Sequence, residues 1–341
     1  MHQPFSFKNT IFAFFAILSF LFSLISCDGT SDPISPATPS TFEYLYVTSS
    51  NSHLSGQANL WDVMKETTIG SGIANPIRLR PENLSPSLFP NLFNTQSSAY
   101  DKLNKRYVVS TGDKVVVYNV ANNTPPNPTI YPSTNVQAME FANGRFFMVE
   151  NNILAEYDAT GAMVRTFPNY QLSNSGKISN MTTDGTYLYI ISSNLLYKID
   201  INTGVNASGT NPSFLPGYPK PVAVGTYYGL EYINSAGCPN SLYAVKIVQA
   251  TNGYVQSFVK IDPSTGVETV KIANLNTPSN FRFSSALDYT TEFYYLDASN
   301  GTGSNQHTLY NIDLTPSSGT ITASPMSSPN NGYLFGLQLK D

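Results

Sequence analysis

The chain has 341 residues and a formal net charge of −4, from 18 Lys+Arg against 22 Asp+Glu. Only 12% of residues are charged while 41% are hydrophobic, which excludes a disordered polyampholyte, and the lack of any basic block argues against nucleic acid as a partner. With 22 Gly, 23 Pro and 2 Cys the chain is neither collagen-like nor built on a disulfide framework.

The N-terminus reads as an export signal. Lys8 gives a short positive region, and the 15 residues from Ile11 to Ile25 form an apolar run. A bilayer span needs roughly 20 residues, so this run fits a signal peptide better than a transmembrane helix. It ends in Leu24-Ile25-Ser26-Cys27, which resembles a bacterial lipobox. That resemblance implies cleavage before Cys27, a diacylglyceryl group on its sulfur and acylation of its amine. Residues 1–26 are then the signal and 27–41 a lipidated tether, with Pro33, Pro36 and Pro39 among Ser and Thr. Such a segment buries too little apolar surface to form a core. Several acyl chains make the attachment stable where one is marginal. The expected location is the bacterial cell envelope, at the outer membrane, with the periplasmic or surface side left open.

The rest of the chain, residues 42–341, repeats. A small residue, a large apolar one and an acidic or polar one recur at Ala99-Tyr100-Asp101, Ala138-Met139-Glu140, Asn180-Met181-Thr182, Gly229-Leu230-Glu231, Ala286-Leu287-Asp288 and Gly336-Leu337-Gln338. The mean interval is about 47 residues, the size of a propeller blade. An aromatic and β-branched run follows each of the first five, for example Tyr187-Leu188-Tyr189-Ile190 and Phe293-Tyr294-Tyr295-Leu296. Such residues suit buried strands. A third run comes next, and several end in an Asp-to-Gly turn: Asp158 to Gly161, Asp200 to Gly204, Asp262 to Gly266. Asp bonds nearby backbone N–H groups there, and Gly accepts positive φ. A weaker fourth run closes each unit, as in Met163 to Phe167 and Val267 to Ile272.

The sixth unit is split. Gly336-Leu337-Gln338 has no second run after it, and Tyr44-Leu45-Tyr46-Val47 has no first run before it. Joining the chain ends completes one blade and leaves no open sheet edge. The expected fold is therefore all-β: a six-bladed β-propeller closed by the C-terminal strand, with residues 333–341 completing the first blade. No sustained 3.6-residue apolar period appears, so few helices are expected. Tyr44-Leu45-Tyr46-Val47-Thr48 and the Ile261-Asp262-Pro263-Ser264-Thr265-Gly266 turn resemble the repeats of YVTN-type bacterial β-propellers. The resemblance implies the fold and leaves function open, because propellers host many functions.

Function on such a scaffold tends to sit on loops. Long connections are expected at 49–57 in blade 1, at 248–253 in blade 5, at 297–306 in blade 6, and at 75–96 between blades 1 and 2. These blades are consecutive, so their loops gather on one side of one rim. The candidate contact residues are His53, Arg78, Arg80, Tyr254, Arg282, Asp297, Asn305 and Tyr333. A second candidate is the column of acids Asp101, Glu140, Glu231 and Asp288, which the first strands bring around the central channel. No cofactor is required by the sequence. The ion these acids admit is Ca²⁺, which takes six to eight oxygen ligands; the bland alternative is that they bond backbone or solvent at strand ends. The Asp297 to Asn305 stretch has Ca²⁺-loop-like oxygen spacing but no following bidentate Glu, and otherwise reads as a Gly/Ser/Asn loop.

Catalytic groups are sparse. After Cys27 the histidines are His53 and His307, the latter expected to be structural at the start of a strand. No zinc spacing, phosphate loop or nucleophile elbow is present. Cys238 is expected to be a free thiol, buried or semi-buried, with a reactive nucleophile as the alternative. The leading expectation is an envelope-anchored, monomeric, non-enzymatic binding or scaffold module for a protein or glycan partner. The alternative is an extracytoplasmic polysaccharide lyase or hydrolase, with a rim carboxylate or Tyr as base and Arg78, Arg80 or Arg282 stabilising charge.

Overall fold

The computed structural model describes residues 43–49, 61–66, 77–82, 97–110, 114–121, 129–133, 135–167, 172, 178–203, 215–251, 253–275, 277, 283–299, 307–315, 323–326 and 333–340. The signal peptide, Cys27, the tether, His53, Arg282 and Asn305 lie outside them. Among the described residues there are no helices and no segment long and apolar enough to cross a membrane as one.

The described strands form six four-stranded antiparallel sheets. Blade 1 is built from β1 (Glu43–Ser49), β2 (Trp61–Glu66), β3 (Ile77–Glu82) and the last strand, β24 (Tyr333–Lys340). Blade 2 contains β4 (Ser98–Asp101), β5 (Arg106–Ser110), β6 (Lys114–Asn119) and β7 (Thr129–Pro132). In blade 3 these are β8 (Val136–Ala142), β9 (Arg145–Glu150), β10 (Ile153–Tyr157) and β11 (Met163–Thr166). Blade 4 holds β12 (Thr182–Thr183), β13 (Tyr187–Ser192), β14 (Leu195–Asp200) and β15 (Lys220–Pro221). Blade 5 consists of β16 (Thr226–Ile233), β17 (Ser241–Ala250), β18 (Gly253–Ile261) and β19 (Glu268–Ile272). Blade 6 comprises β20 (Phe283–Asp288), β21 (Phe293–Ser299), β22 (His307–Asp313) and β23 (Ala323–Met326). The expected split blade is found: Glu43 pairs with Lys340 and Ser49 with Tyr333.

The sheets close into a ring. The inner strands touch in the order β24, β4, β8, β12, β16, β20 and back to β24. The buried apolar residues fall into clusters that each span two consecutive blades, all the way round the circuit. The second strand of each blade therefore has both faces buried, and its sequence is apolar throughout rather than alternating. On β13, Leu188 and Ile190 pack toward blade 3 while Tyr189 and Ile191 pack toward blade 5. On β21, Tyr294 and Leu296 pack toward blade 5 while Phe293 and Tyr295 pack toward blade 1. The outermost strands are more exposed, as Met163 and Val270 show.

Two interfaces repeat one device. Gly229 and Gly336 bulge from their inner strands at positive φ, 59° and 63°. The carbonyl of Gly229 accepts a hydrogen bond from the Tyr294 hydroxyl of the next blade, and that of Gly336 accepts one from Tyr107 at 2.5 Å. A Cβ at either glycine would overlap that hydroxyl and the neighbouring Ser285 or Ser98. Only glycine allows both the backbone angle and the close approach. Two residues on, Glu231 accepts from the Ser285 hydroxyl at 2.7 Å, and Gln338 donates to Ser98 Oγ at 3.0 Å.

The third-strand turns form as expected. Asp158 Oδ1 accepts from the Thr160 and Ala162 amides at 2.8 and 3.0 Å, and Asp262 Oδ1 accepts from the Ser264 amide at 2.7 Å.

Three expectations are corrected. Residues 248–253 are not a long loop: β17 and β18 run on to pair Ala250 with Gly253, so only two residues connect them. Asp297 is not at the start of a rim loop: it lies in β21, paired with Ser284 and Leu309, and is buried. Its strand continues through Ser299, so the stretch read as a Ca²⁺ loop begins as sheet. Cys238 is buried as expected, with Sγ 3.3 Å from the Tyr243 hydroxyl, but it is disulfide-bonded rather than a free thiol. The chain's other cysteine is Cys27.

Candidate functional site

Two surfaces stand out, one at each end of the propeller. The first is the mouth of the central channel, at the end where first strands turn into second strands. The turns of blades 2, 3 and 4 are stitched together there. Asp101 Oδ1 accepts from the Leu103 and Asn104 amides at 3.1 and 3.2 Å, and Oδ2 pairs with the Arg106 guanidinium at 2.6 Å. Burial pushes the Asp101 carboxyl up, but the Asn104 and Arg106 donors outweigh it and hold the group below its usual value. Arg106 also donates to the Gly144 carbonyl at 3.3 Å, and Asn143 Nδ2 donates to the Gly185 carbonyl at 2.6 Å. These bonds tie the turns of blades 2, 3 and 4 to one another.

The cavity within it has a volume of 430 Å³. Its polar lining includes Lys102, Glu140, Thr183, Glu231, Tyr289 and Gln338. Glu140 accepts one hydrogen bond, from the Phe141 amide at 2.8 Å, and Glu231 accepts one, from Ser285. Burial pushes the Glu140 carboxyl up to about 8; the Phe141 amide opposes this, the Glu231 charge adds to it and Lys102 subtracts a little. Burial also lifts Glu231 to about 7, against the Ser285 bond. Near neutral pH this pair of acids thus holds a proton that ordinary carboxylates would have lost. The hydroxyl of Tyr289 is held protonated by burial first and then by the Glu231 and Glu140 charges. Lys102 Nζ stands 5.6 Å from the centroid of the Tyr289 ring.

The expected column of four acids thus divides. Asp101 and Asp288 cap their own turns; Asp288 takes the Thr290 and Thr291 amides at 2.9 and 3.2 Å. Asp101, Glu140 and Glu231 all line the cavity, but only the two glutamates do so without capping a turn. No group of three or more metal-ligating side chains is present among the described residues. Lys102 and Tyr289 were missed from sequence. Their signal is positional: each directly follows the acid that ends a first strand, which places it in the turn at the mouth.

The second surface is the opposite rim, where the sequence placed the contacts. Of those residues, Tyr254 lies near the tip of the β17–β18 hairpin and is 45% exposed. Three residue pairs at that tip extend beyond the pairing of β16 and β19. Val255 beside it is also exposed. Tyr254 adds to the upward push that burial gives the Tyr228 hydroxyl, and the Tyr228 ring packs on Phe283 at 5.1 Å between centroids. An aromatic group therefore joins blades 5 and 6 on this rim. Arg78 and Arg80 lie in β3, paired with Met64 and Val63, and Tyr333 opens β24. Asp297, being buried in blade 6, is removed from the contact set.

No protein-family model matches the chain, and no curated protein matches it. Two solved structures give partial matches. The WD40 domain of Neurospora crassa Pan2 is 9% identical, over 68% of this chain and 66% of that one, with a TM-score of 0.45. A functionally unknown protein from Desulfotomaculum acetoxidans DSM 771 is 12% identical, over 88% of this chain and 99% of that one, with a TM-score of 0.46.

Proposed function

We propose that the chain is a lipid-anchored binding module of the bacterial envelope, held at the outer membrane through Cys27, and that it engages a protein or glycan partner on the blade 5–6 rim. The observation that carries this is the β17–β18 hairpin, which projects past its neighbouring strands and exposes Tyr254 and Val255 beside the Tyr228–Phe283 pair. Tyr offers a flat apolar face and a hydroxyl at low conformational cost, which suits both partner classes. The test is thermal stability of the full-length protein in detergent against a panel of envelope oligosaccharides, divalent cations and EDTA. A ligand at 100 times its Kd stabilises by about 2.7 kcal/mol. The binding proposal expects such a shift with a glycan, or position-specific capture of a protein at the hairpin, and loss of either in Tyr254→Ala. Capture that is unaffected by Tyr254→Ala contradicts it.

The anchor has its own test. Lipidation needs the Cys27 sulfur free of the disulfide at Cys238, so the mass of the N-terminal peptide with and without reductant tests the anchor: a reductant-insensitive diacylglyceryl thioether supports it, and a reductant-sensitive link to Cys238 overturns it.

Catalysis on a polysaccharide is favoured by one feature, the two carboxyls at the channel mouth that retain protons near neutrality. Product formation from an envelope polysaccharide, abolished in Glu140→Gln and Glu231→Gln, would establish that activity in place of pure binding.

A further inference from the structure

The channel mouth differs chemically from the rim, and the chain's own topology says which way it faces. Among the described residues, neither Glu140 nor Glu231 belongs to an ion pair, whereas Asp101, Glu156 and Glu268 are each matched by Arg or Lys. Among the described residues each of the two glutamates accepts a single hydrogen bond, which leaves acceptor capacity on two side chains that line the cavity. The walls around them combine apolar and aromatic side chains, Phe141, Leu287, Leu103 and Tyr289, with the polar Thr183, Asn143 and Gln338 and with Lys102, whose charge acts on Glu140 only as the smallest of its influences. A hard metal ion wants six to eight oxygens. An ammonium group wants two or three acceptors and tolerates, or gains from, adjacent aromatic faces.

Orientation follows from register. Glu43 pairs with Lys340, and Gln338 and Leu339 line the cavity. The tether therefore enters blade 1 at the mouth end, on the strand next to the innermost one and about 4.8 Å from it. Cys27 to Glu43 is 16 residues, which reach at most about 55 Å when fully extended. A flexible 16-residue tether averages about 22 Å end to end, so with a lipid on Cys27 the mouth face is the nearer one to the bilayer and the β17–β18 hairpin the farther. That face exposes Leu103 by 74% and Tyr289 by 43%, residue types at home in a membrane interface.

We propose that the channel mouth binds a primary ammonium group between Glu140 and Glu231, and that in place its source is the headgroup of an amine-headed phospholipid. A free aliphatic amine shares the chemistry and is the other source. The orientation rests on the lipid-anchored reading above; the ammonium site itself does not. The amine forms no covalent bond to the protein. The ammonium donates to the two carboxylates, and the proton they share near neutrality passes to the buffer.

The experiment titrates full-length protein in nonionic detergent with n-butylamine and with n-butanol, which has a similar shape but no charge, by calorimetry. Saturable binding of butylammonium is expected, with none of butanol. Glu140→Gln and Glu231→Gln should each weaken it at least tenfold, while Met163→Ala on the outer edge of blade 3 leaves it unchanged. Gln338→Glu, which adds an acid to the lining, should tighten it and serves if a Gln variant fails to fold. Equal binding of amine and alcohol, wild-type affinity in both Gln variants, or binding of Ca²⁺ without binding of amine overturns the site.

The sources are separated by reconstitution. Phosphatidylcholine vesicles containing phosphatidylethanolamine should weaken butylammonium binding relative to phosphatidylcholine alone, because the headgroup competes. Equal binding in both overturns the headgroup source and assigns the site to a free amine. Failure of the anchor reads out separately, as an unlipidated N-terminal peptide in a protein that still binds the amine.

Discussion

Glu140→Gln tests the electrostatics of the mouth in a way that needs no ligand. In the folded protein, burial lifts Glu140 from 4.5 to about 8. Below pH 4.5 the carboxyl is protonated folded or unfolded, and its full contribution to stability is present. Between pH 4.5 and about 8 the unfolded chain releases this proton and the folded one keeps it, so wild-type stability falls as pH rises. Above about 8 the penalty is complete. At about 1.4 kcal/mol per pH unit the ceiling is roughly 5 kcal/mol. The mouth is open to water, which relaxes a buried charge, so roughly 2–4 kcal/mol is the expected gain for Glu140→Gln at pH 8.5. Glu231 on β16, Lys102 in the β4–β5 turn and Tyr289 in the β20–β21 turn face the same space. Glu231 adds to the lift and Lys102 reduces it, so Lys102→Gln should enlarge the effect. The assay is urea unfolding of both proteins at pH 4.5 and pH 8.5. Equal stabilities at both values would refute the claim that an under-compensated carboxyl sits in this cavity.

Gly229→Ala and Gly336→Ala should each cost about 2–4 kcal/mol, from a strained φ and overlap with the Tyr294 or Tyr107 hydroxyl; a change below about 0.5 kcal/mol in the unfolding midpoint analysis would contradict the bulge account. Tyr294→Phe leaves the Gly229 carbonyl without this donor and should cost about 1–3 kcal/mol in the same assay. Asp101→Asn should destabilise at neutral pH and converge with wild type in acid, since a lowered carboxyl contributes stability above 3.8 that is lost as pH falls; an equal deficit at pH 2.5 and pH 7 would argue against it. Deleting residues 333–341 removes the inner strand of blade 1 and opens the ring, a loss comparable to the whole stability of a domain, roughly 5–15 kcal/mol. A truncated chain that melts within a few degrees of the full one would defeat ring closure.

Much of the fold was legible because the ring buries both faces of every second strand. Tyr187 to Ile191 cannot be amphipathic when Leu188 and Ile190 meet blade 3 and Tyr189 meets blade 5, so the continuous apolar run was itself the signal. The split blade was legible because each chain end lacked what the other had. The site was less so. The four acids share one column in the repeat, but Asp101 and Asp288 end their strands and reach amides two and three residues on. Glu140 and Glu231 are followed by two more strand residues each, so no turn amide is within their reach. The Asp-versus-Glu distinction carried that information. The blade 5 hairpin was mistaken for a loop because Gln249 to Asn252 is polar, although Asn252-Gly253 is a tight-hairpin signal. Asp297 lies between Leu296 and Ala298, which pack toward blade 5, and it is buried in the middle of β21; the Gly/Ser/Asn composition that follows it hid the strand.

The central claim is that this propeller has two working faces, a mouth turned to the bilayer and a rim turned away. Site-specific photo-crosslinking of the full-length protein in native membranes tests it most directly, with the probe at position 103 or at position 254. The account predicts lipid adducts at 103 and protein or glycan adducts at 254. Lipid adducts at 254 with none at 103 would contradict it.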